Sequence, residues 1–200
     1  AESIAEYEAA EAMRLRSEYP QRLEDAIAST GLDGGLGQIA CIGWAVEDGP
    51  VMTRHVEDLT PAAERNLLAY WFHSLVSAHS GHAGRRPVLI GHNSNAFDIP
   101  FIWKRAIVHG VRPPLWFPRD PKPWGESTFD TMTAWAGARG HISMDRLCKL
   151  LGLPGKGGMS GADVWPLVQA GRIADVAEYC RGDVERTRQL HRRMSFEAAA

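Results

Sequence analysis

The order of the predicted elements indicates one α/β domain in which a sheet is flanked by helices. Two short apolar segments joined by a turn, residues 38–46 and 51–56, predict a β-hairpin. A third apolar segment at 86–91 then alternates with helical segments, which is typical of a layered α/β fold with a buried parallel strand. The 200 residues suffice for one core, and 44% apolar with 23% charged residues is an ordinary globular composition.

Helical segments are predicted before, between and after these strands. Residues 2–14 and 21–29 have helical patterns, interrupted by Pro20. Thr60 is followed by a proline and an early acid, which together predict the beginning of a capped helix. Further helices are predicted at about 100–109, 129–136, 144–151, 160–170 and 172–194, with loops at 31–37, 111–125 and 152–158.

Composition excludes several classes of protein. No apolar run is long enough to cross a bilayer and no signal peptide opens the sequence, so no membrane contact and a cytoplasmic location are expected. Cys41, Cys148 and Cys180 fit no zinc spacing and no disulfide framework, which favours reduced thiols. A net charge of −2 excludes a protein that coats duplexes by charge alone and favours one that holds a short nucleic-acid end.

The last predicted helix presents a phenol and a carboxylate together. Tyr179 and Asp183 lie along the flank of its apolar stripe, and at this spacing their Cβ atoms are about 5–6 Å apart. A carboxylate can bind Mg²⁺, and a tyrosine hydroxyl one turn away can orient a water for attack. The same spacing also arises by chance, so alone it does not identify a site. The opposite face of the helix, expected in solvent, carries Glu178, Arg181, Glu185, Arg188 and Arg192.

A second acid follows the strand predicted at 86–91. Asn93 and Asp98 lie between that strand and a helix that begins near Pro100. Ligands of open α/β sheets collect beyond the carboxyl ends of strands, where a carboxylate is well placed for a metal. The alternative is that Asp98 only caps the helix and that Asn93 closes a turn.

Together these two segments resemble a family of nucleases. Gly-His-Asn-x-x-x-Phe-Asp-Ile-Pro at 91–100 and Tyr-x-x-x-Asp at 179–183 resemble the second and third motifs of DEDDy-type 3′→5′ exonucleases of the DnaQ-like, ribonuclease H-like superfamily. Leu-Gly-Leu-Pro-Gly-Lys at 151–156 and Tyr-Cys-Arg-Gly-Asp-Val at 179–184 are similar to its predicted PolB-like branch. The resemblance covers about residues 30–195 and implies a ribonuclease H-like mixed sheet flanked by helices.

The resemblance also implies a role for eight residues. Asp98 and Asp183 would bind metal, and Tyr179 would orient the attacking water, so these three are the expected catalytic residues. The expected substrate contacts are His92, Asn93, Phe97, Lys156 and Asp130. For Asp130, a helix cap beside Thr128 is the alternative. The implied cofactors are two Mg²⁺ or Mn²⁺ ions, and the implied substrate is the 3′ end of a single strand.

One family motif, Asp-x-Glu on the first and central strand, is not found on any predicted strand of the sequence. The strand predicted at 38–46 has no acid and corresponds to the family's second strand, with the helical residues 1–30 inserted before it. A sheet without its central strand would expose two rows of unpaired backbone groups. We therefore expect the sequence to lack an N-terminal segment and residues 31–197 to form the exonuclease-like domain. Residues 198–200 have the composition of a vector remnant.

Histidines and tryptophans give weaker signals. His79 and His82 have a metal-like spacing, but no third ligand is evident, and a helix end explains them. Trp116 and Trp124, in the loop at 111–125, are candidates for contact with bases. The tryptophans expected in the core are Trp44, Trp71, Trp103, Trp135 and Trp165.

Two functions from different classes follow. The first is a metal-dependent 3′→5′ exonuclease that acts on a DNA or RNA end by two-metal hydrolysis, with a polymerase or repair partner. The alternative is a catalytically inactive nucleic-acid-binding or interaction module on the same fold. Residues 1–200, with two of the family's four carboxylates, are expected to bind at most one ion weakly and not to cleave nucleic acid.

Overall fold

A computed structural model describes residues 13–20, 22–23, 25–26, 29–80 and 85–197. From Cys41 onward, the described residues contain four short strands and six α-helices, which give the predicted mixed α/β architecture. Residues 13–20 are helical, so the predicted gap between 14 and 21 is wrong; most of the helix predicted at 2–14 lies outside the described residues, as does the segment 198–200. No described helix is both long and apolar enough to span a bilayer.

The predicted hairpin is confirmed. β1 (Cys41–Trp44) and β2 (Met52–His55) pair antiparallel, each shorter than its apolar segment. In the turn between them, Glu47 has a left-handed backbone with φ of 48°. Such a φ is uncommon for a residue with a Cβ and marks the tight reversal that closes the hairpin.

Two helices pack against this hairpin. α1 (Pro61–His79) begins as predicted, because the Thr60 hydroxyl accepts the N–H of Ala63 at 3.2 Å. α2 (Asp98–Val108) follows the strand after α1. Together they enclose the larger hydrophobic core, whose buried residues are Ile39, Ile42, Val56, Leu67, Leu68, Trp71, Phe72, Ile99, Phe101, Ala106 and Phe117.

A charged cluster is buried inside this core. Glu64 is fully buried, and its carboxylate accepts Nε and Nη2 of Arg105, both at 2.7 Å, and the N–H of Ile39 at 2.9 Å. Nε2 of His109 lies 2.8 Å from the same carboxylate. Burial raises the pKa of Glu64, but these hydrogen bonds outweigh it, so the pKa is lowered overall. The cluster ties the segment before β1 to α1 and α2.

β3 (Leu89–Gly91) and β4 (Thr128–Asp130) form a parallel pair, as predicted for the segment 86–91, but the prediction that this strand is buried is wrong, because Val88 and Ile90 are 49% and 43% exposed. The helix predicted at 129–136 is wrong at its start, because Phe129 and Asp130 are in β4 and α3 (Thr131–Ala136) begins after them. The Asp130 carboxylate accepts the N–H of Met132 at 2.9 Å, so α3 starts directly where the strand ends.

The remaining helices occupy the predicted segments. α4 (Met144–Leu150) has Ser143 as its cap, and α6 (Ile173–Met194) is the long last helix. Ser160 and Asp163 form the predicted capping box on a 3₁₀ turn, which precedes α5 (Val164–Gln169). The second hydrophobic core lies between α3, α4 and α6 and contains Met132, Ile142, Met144, Leu147, Cys148 and Leu190.

The four strands form two separate sheets, β1 with β2 and β3 with β4. α6 packs against β1, β2 and β3. Within the ranges that the structure describes, no strand joins the two sheets. The long helix is therefore the element that both sheets share.

Three arginines that were predicted in solvent on α6 contact the hairpin instead. Arg181 donates to the Val51 carbonyl at 2.8 Å, and Arg188 donates to the Gly49 carbonyl at 2.7 Å. Arg192 donates to the Asp48 carboxylate. Long guanidinium side chains reach across from the polar face of a helix while their stems cover apolar surface. These contacts hold the hairpin on α6.

The prediction of five core tryptophans is correct for three of them. Trp71 is buried, and Trp44 and Trp103 pack against the larger core. Trp135 and Trp165 are 48% and 43% exposed. They lie on α3 and α5, which have six residues each and are too short to bury more than one face.

Candidate active site

α6 presents Tyr179 and Asp183 on a half-buried flank, one helical turn apart. The helix is oriented by its buried residues, which include Val176, Ala177 and Leu190. Because these side chains fix the rotation of α6 against the sheets, the phenol and the carboxylate are held at the edge of the core.

Lys156 joins these two side chains. Its Nζ donates to Oη of Tyr179 at 2.6 Å and to Oδ2 of Asp183 at 2.9 Å. Burial lowers the pKa of Lys156, but the bonds to Tyr179 and Asp183 outweigh it, so the pKa is raised overall. Burial is also the largest cause of the raised pKa of Tyr179. At neutral pH the site therefore holds an ammonium beside a protonated phenol.

The loop 152–158 carries Lys156 into this position. The N–H of Lys156 donates to Oδ1 of Asp145 at 3.0 Å, which anchors the loop to α4. A Cβ on Gly155 would lie 2.5 Å from the same Asp145 oxygen, so only glycine permits this approach. Gly157 and Gly158 have φ of 65° and 96°, which favours glycine. The glycines thus let the loop turn sharply on both sides of the lysine.

A second cation at Asp183 was missed by the sequence reasoning. Arg186 donates from Nη1 to Oδ1 of Asp183 at 3.1 Å and from Nε to the Gly155 carbonyl at 3.0 Å. A Cβ on Gly182 would lie 2.8 Å from Nη1 of Arg186, so the glycine leaves room for the guanidinium. The sequence does contain a signal for this contact, because Asp183 and Arg186 are three residues apart on one helix and therefore lie on the same face.

Asp98 lies within electrostatic reach of Asp183. It is the first residue of α2, while Phe97 occupies the cap position without a side-chain hydrogen bond. Asp98 is exposed to water, yet protein atoms crowd its carboxyl on enough sides for desolvation to raise its pKa to about 6. The negative charges of Asp130 and Asp183 also raise it. Asp130 and Asp183 are therefore near enough for their charges to act on the Asp98 carboxyl.

Asp130 is committed to the backbone around it. Its buried carboxylate accepts the N–H groups of Asn93 at 2.9 Å, Asn95 at 3.0 Å, Met132 at 2.9 Å and Thr133 at 3.4 Å. Asn93 has φ of 61°, which is the left-handed turn conformation that asparagine tolerates. Asp130 therefore caps α3 and at the same time fixes the turn that leads to Asp98.

His92 and Phe97 border this turn. Nε2 of His92 lies 3.0 Å from the Ile142 carbonyl and Nδ1 lies 2.9 Å from the Thr131 hydroxyl, so both ring nitrogens have protein partners. Burial is the largest cause of the lowered pKa of His92. Phe97 is 36% exposed and packs tilted on Phe101, with ring centroids 5.6 Å apart. Phe97 thus offers an open aromatic face beside Asp98.

The tryptophans and histidines that gave weaker sequence signals lie in different surroundings. Trp124 is 79% exposed, whereas Trp116 packs against the larger core and meets His79 edge-on at 6.0 Å. His82 lies outside the described residues. In the part of the chain that the structure describes, no three His, Cys, Asp or Glu side chains form a group able to hold a metal ion.

Comparisons with known proteins identify the family to which this chain belongs. A curated relative, ribonuclease T of Marinobacter nauticus, is 36% identical over 92 residues, which are 46% of this chain and 38% of that protein. The chain thus spans well under half of that relative's length. No solved structure matches the chain. Residues 36–199 match a family described as predicted 3′-5′ exonuclease related to the exonuclease domain of PolB. Since this match covers most of the chain, the protein belongs to that family of PolB-related exonucleases.

Proposed function

We propose that this protein is a metal-dependent 3′→5′ exonuclease that removes nucleotides from a single-stranded DNA or RNA end. Membership of the PolB-related exonuclease family supports the reaction class. The observation that carries the proposal is the Tyr179, Lys156 and Asp183 cluster, which lies within electrostatic reach of Asp98 and would form with it the catalytic cleft. A ribonuclease H-like arrangement of residues 31–197 is part of the proposal; in the described residues the strands form one antiparallel and one parallel pair, which share one long helix.

Tyr179 is proposed to orient the attacking water. Its oxygen accepts a hydrogen bond from Lys156, and its phenolic hydrogen, which can reach the Asp183 carboxylate, would turn to a water or a phosphate oxygen when substrate binds. Because burial raises the pKa of Tyr179, the phenol keeps that hydrogen at neutral pH. Tyr179 therefore acts as a hydrogen-bond donor that positions the water and not as a base.

Lys156 is proposed to contact the scissile phosphate. An ammonium has three hydrogens, and two of them are used by Tyr179 and Asp183. The third is available to an anionic oxygen at the surface of the cleft. Arg186 adds a second positive charge beside Asp183, which favours a negatively charged substrate in this position.

The residues at 92–97 that were expected to contact substrate are proposed to have different roles. The exposed face of Phe97 suits stacking on a terminal base. Asn93 lies in the turn that Asp130 holds, so its side chain is placed by that acid. We propose a positioning role for His92 and Asp130, since their polar atoms bond within the protein.

We propose that Asp98 and Asp183 hold at most one divalent ion, which would have to displace Lys156 or Arg186 from the Asp183 carboxylate. Asp98 and Asp183 would hold one Mg²⁺ or Mn²⁺, whose other ligands would be waters and phosphate oxygens. A second ion needs further carboxylates, and Asp130 uses both of its oxygens on backbone donors. When bound, such an ion would polarise the phosphate and lower the pKa of a water.

Digestion of a 5′-labelled single strand in Mn²⁺ by the full-length natural protein tests the proposal, whereas residues 1–200 alone are expected to leave the strand intact. We expect a ladder that shortens from the 3′ end, its loss in Asp183→Asn, and a decrease of roughly 10²-fold in Tyr179→Phe. Asp175→Asn is the matched control, because Asp175 is an exposed carboxylate in the first turn of the same helix. Equal digestion by the wild type and Asp183→Asn would remove the cleft from the reaction.

A catalytically inactive module that binds nucleic-acid ends is the second candidate. It is favoured by one observation, that Asp183 already contacts two cations, Lys156 and Arg186. Fluorescence anisotropy with a labelled strand separates the candidates: binding without shortening in Mn²⁺ supports the module, and shortening supports the nuclease. A polymerase or repair partner and a cytoplasmic location, the latter based on three unpaired cysteines, are part of the proposal.

A further inference from the structure

β1 lies directly on the backbone of α6. A Cβ on Gly43 would lie 3.2 Å from the carbonyl oxygen of Cys180 and 3.1 Å from Cγ2 of Val184. Side chains two residues apart on a strand point to the same face. Cys41, two residues before Gly43, is therefore directed at α6 on the level of Cys180.

The two thiols meet at this interface. Cys41 and Cys180 are both half-buried and reduced. The interaction between the two thiols raises the pKa of Cys41 and lowers the pKa of Cys180, as expected for neighbouring side chains of which Cys180 is the acceptor. Cys148, in contrast, is fully buried in the second core.

This thiol pair borders the candidate active site. Cys180 follows Tyr179 directly and precedes Asp183 by less than one helical turn. The charges of Asp183, Asp98 and Lys156 all reach the Cys180 thiol. A covalent change at Cys180 would therefore be felt by the phenol and the carboxylate of the cleft.

We propose that Cys41 and Cys180 are a redox modification site that forms a reversible disulfide between β1 and α6. The oxidant is a low-molecular-weight disulfide, RSSR. Cys180 loses its proton to solvent and its thiolate attacks one sulfur of RSSR, which forms a mixed disulfide and releases RS⁻. Cys41 then loses its proton and attacks the Cys180 sulfur, which releases the second RS⁻. In total two protein thiols are oxidised to one disulfide, and RSSR is reduced to two RSH.

The disulfide would also change the cleft. It brings the two sulfur atoms to about 2.05 Å, well inside the distance between unbonded sulfur atoms. Because β1 already packs close to α6 at Gly43, where an added Cβ would lie 3.2 Å from the Cys180 carbonyl oxygen, the shortening is expected to displace the helix next to Tyr179. Displacements of about 1 Å at a reacting centre can cost roughly 10²-fold in rate. Oxidation is expected to slow any reaction that depends on Tyr179.

Peptide mapping tests the disulfide without any assay of activity. The full chain carrying Cys148→Ser is incubated with oxidised glutathione and digested without reductant. We expect one cross-linked pair of peptides containing Cys41 and Cys180, the loss of both titratable thiols, and recovery of both with a reductant. The matched control Cys41→Ser in the same background should keep one glutathione on Cys180, since its resolving thiol is absent.

Two results would overturn the disulfide: both thiols remaining titratable, or two glutathione adducts on one chain. The wild-type chain is mapped in parallel, so that a folding defect of the Cys148→Ser variant cannot explain a negative result. The effect on digestion rests on the proposed nuclease function and is measured separately. A cross-link without any change in digestion would keep the modification site and reject only its effect on the cleft.

Discussion

Two clusters in this protein each place one carboxylate against two basic side chains, yet their surroundings are opposite. Glu64, with Arg105 and His109, is enclosed in the larger core, where the three side chains are 0%, 9% and 7% exposed. Asp183, with Lys156 and Arg186, lies at the edge of the cleft, and its side chain is 26% exposed. The groups are alike in charge and hydrogen bonding, so the surroundings decide what each cluster can do.

The two clusters differ in the elements that carry their basic side chains. Arg105 and His109 come from a rigid helix, and the remaining acceptor capacity of Glu64 is used by a backbone N–H. Lys156 comes from a glycine-rich loop and keeps one hydrogen free. An enclosed cluster with all its bonds made stabilises the fold, whereas an open one with unused capacity can bind a ligand.

The largest expected effect is on the enclosed cluster. Glu64→Gln leaves the buried Arg105 charge without its counter-ion, so we expect a loss of about 3–5 kcal/mol in the free energy of unfolding. Asp183→Asn, measured in the same denaturant titration, should lose about 1 kcal/mol or less, because water reaches its partners. Equal losses in the two variants would contradict the distinction between the clusters.

Acid should act on the same cluster. The folded-state pKa of Glu64 is lowered below its ordinary value of 4.5, so its stabilising effect is complete above that pH and is lost as pH falls through the folded-state value. Unfolding of the wild type and Glu64→Gln is compared over a pH series. We expect the difference in unfolding free energy to shrink below pH 4.5; a difference that widens there would show that the sign is wrong.

A substitution in the Asp183 cluster should change the affinity for nucleic acid more than the stability of the fold. Lys156→Met keeps the length of the side chain and removes its charge, so we expect about 1 kcal/mol or less in stability. If Lys156 contacts a phosphate, the slope of log affinity for a single strand against log salt should decrease by about 0.7. Lys149→Met is the control, since that lysine is 71% exposed and paired with Asp145; the same change of slope in both variants would argue against a specific contact.

The smallest effect is expected at an exposed pair. Arg192 contacts Asp48 with side chains 33% and 84% exposed, and Arg192→Ala should cost about 0.2–1 kcal/mol. Arg188→Ala should cost more, because Arg188 is 17% exposed and donates to the Gly49 carbonyl at 2.7 Å. The reverse order in thermal unfolding would show that exposure does not rank these contacts.

Local signals were enough for most helix starts and for the hairpin. Thr60 and Ser143 cap the helices that they were predicted to cap, because a cap depends on residues three positions away. β4 was missed since it has three residues and exists through its pairing with β3, about forty positions earlier.

The candidate site was predicted in part for the same reason. Tyr179 and Asp183 are neighbours on one helix, so their spacing was visible in the sequence. Glu64 was visible only as an early acid of α1, because its partners Arg105 and His109 lie 41 and 45 residues away. The position of Lys156 between Tyr179 and Asp183 likewise depends on how a loop folds back over 23 and 27 residues.

The packing of α6 against both sheets affects how cooperatively the protein unfolds. Its N-terminal half lies against β1 at Gly43, its arginines hold the hairpin, and Leu190 is fully buried in the second core. The second core contains Leu190 of this helix, and the larger core contains Ile42 of the strand that the helix covers, so loss of the helix disturbs both cores. The free energy that protects the large core against opening is thereby shared with the smaller one, and hydrogen exchange in both should be limited by the same global event.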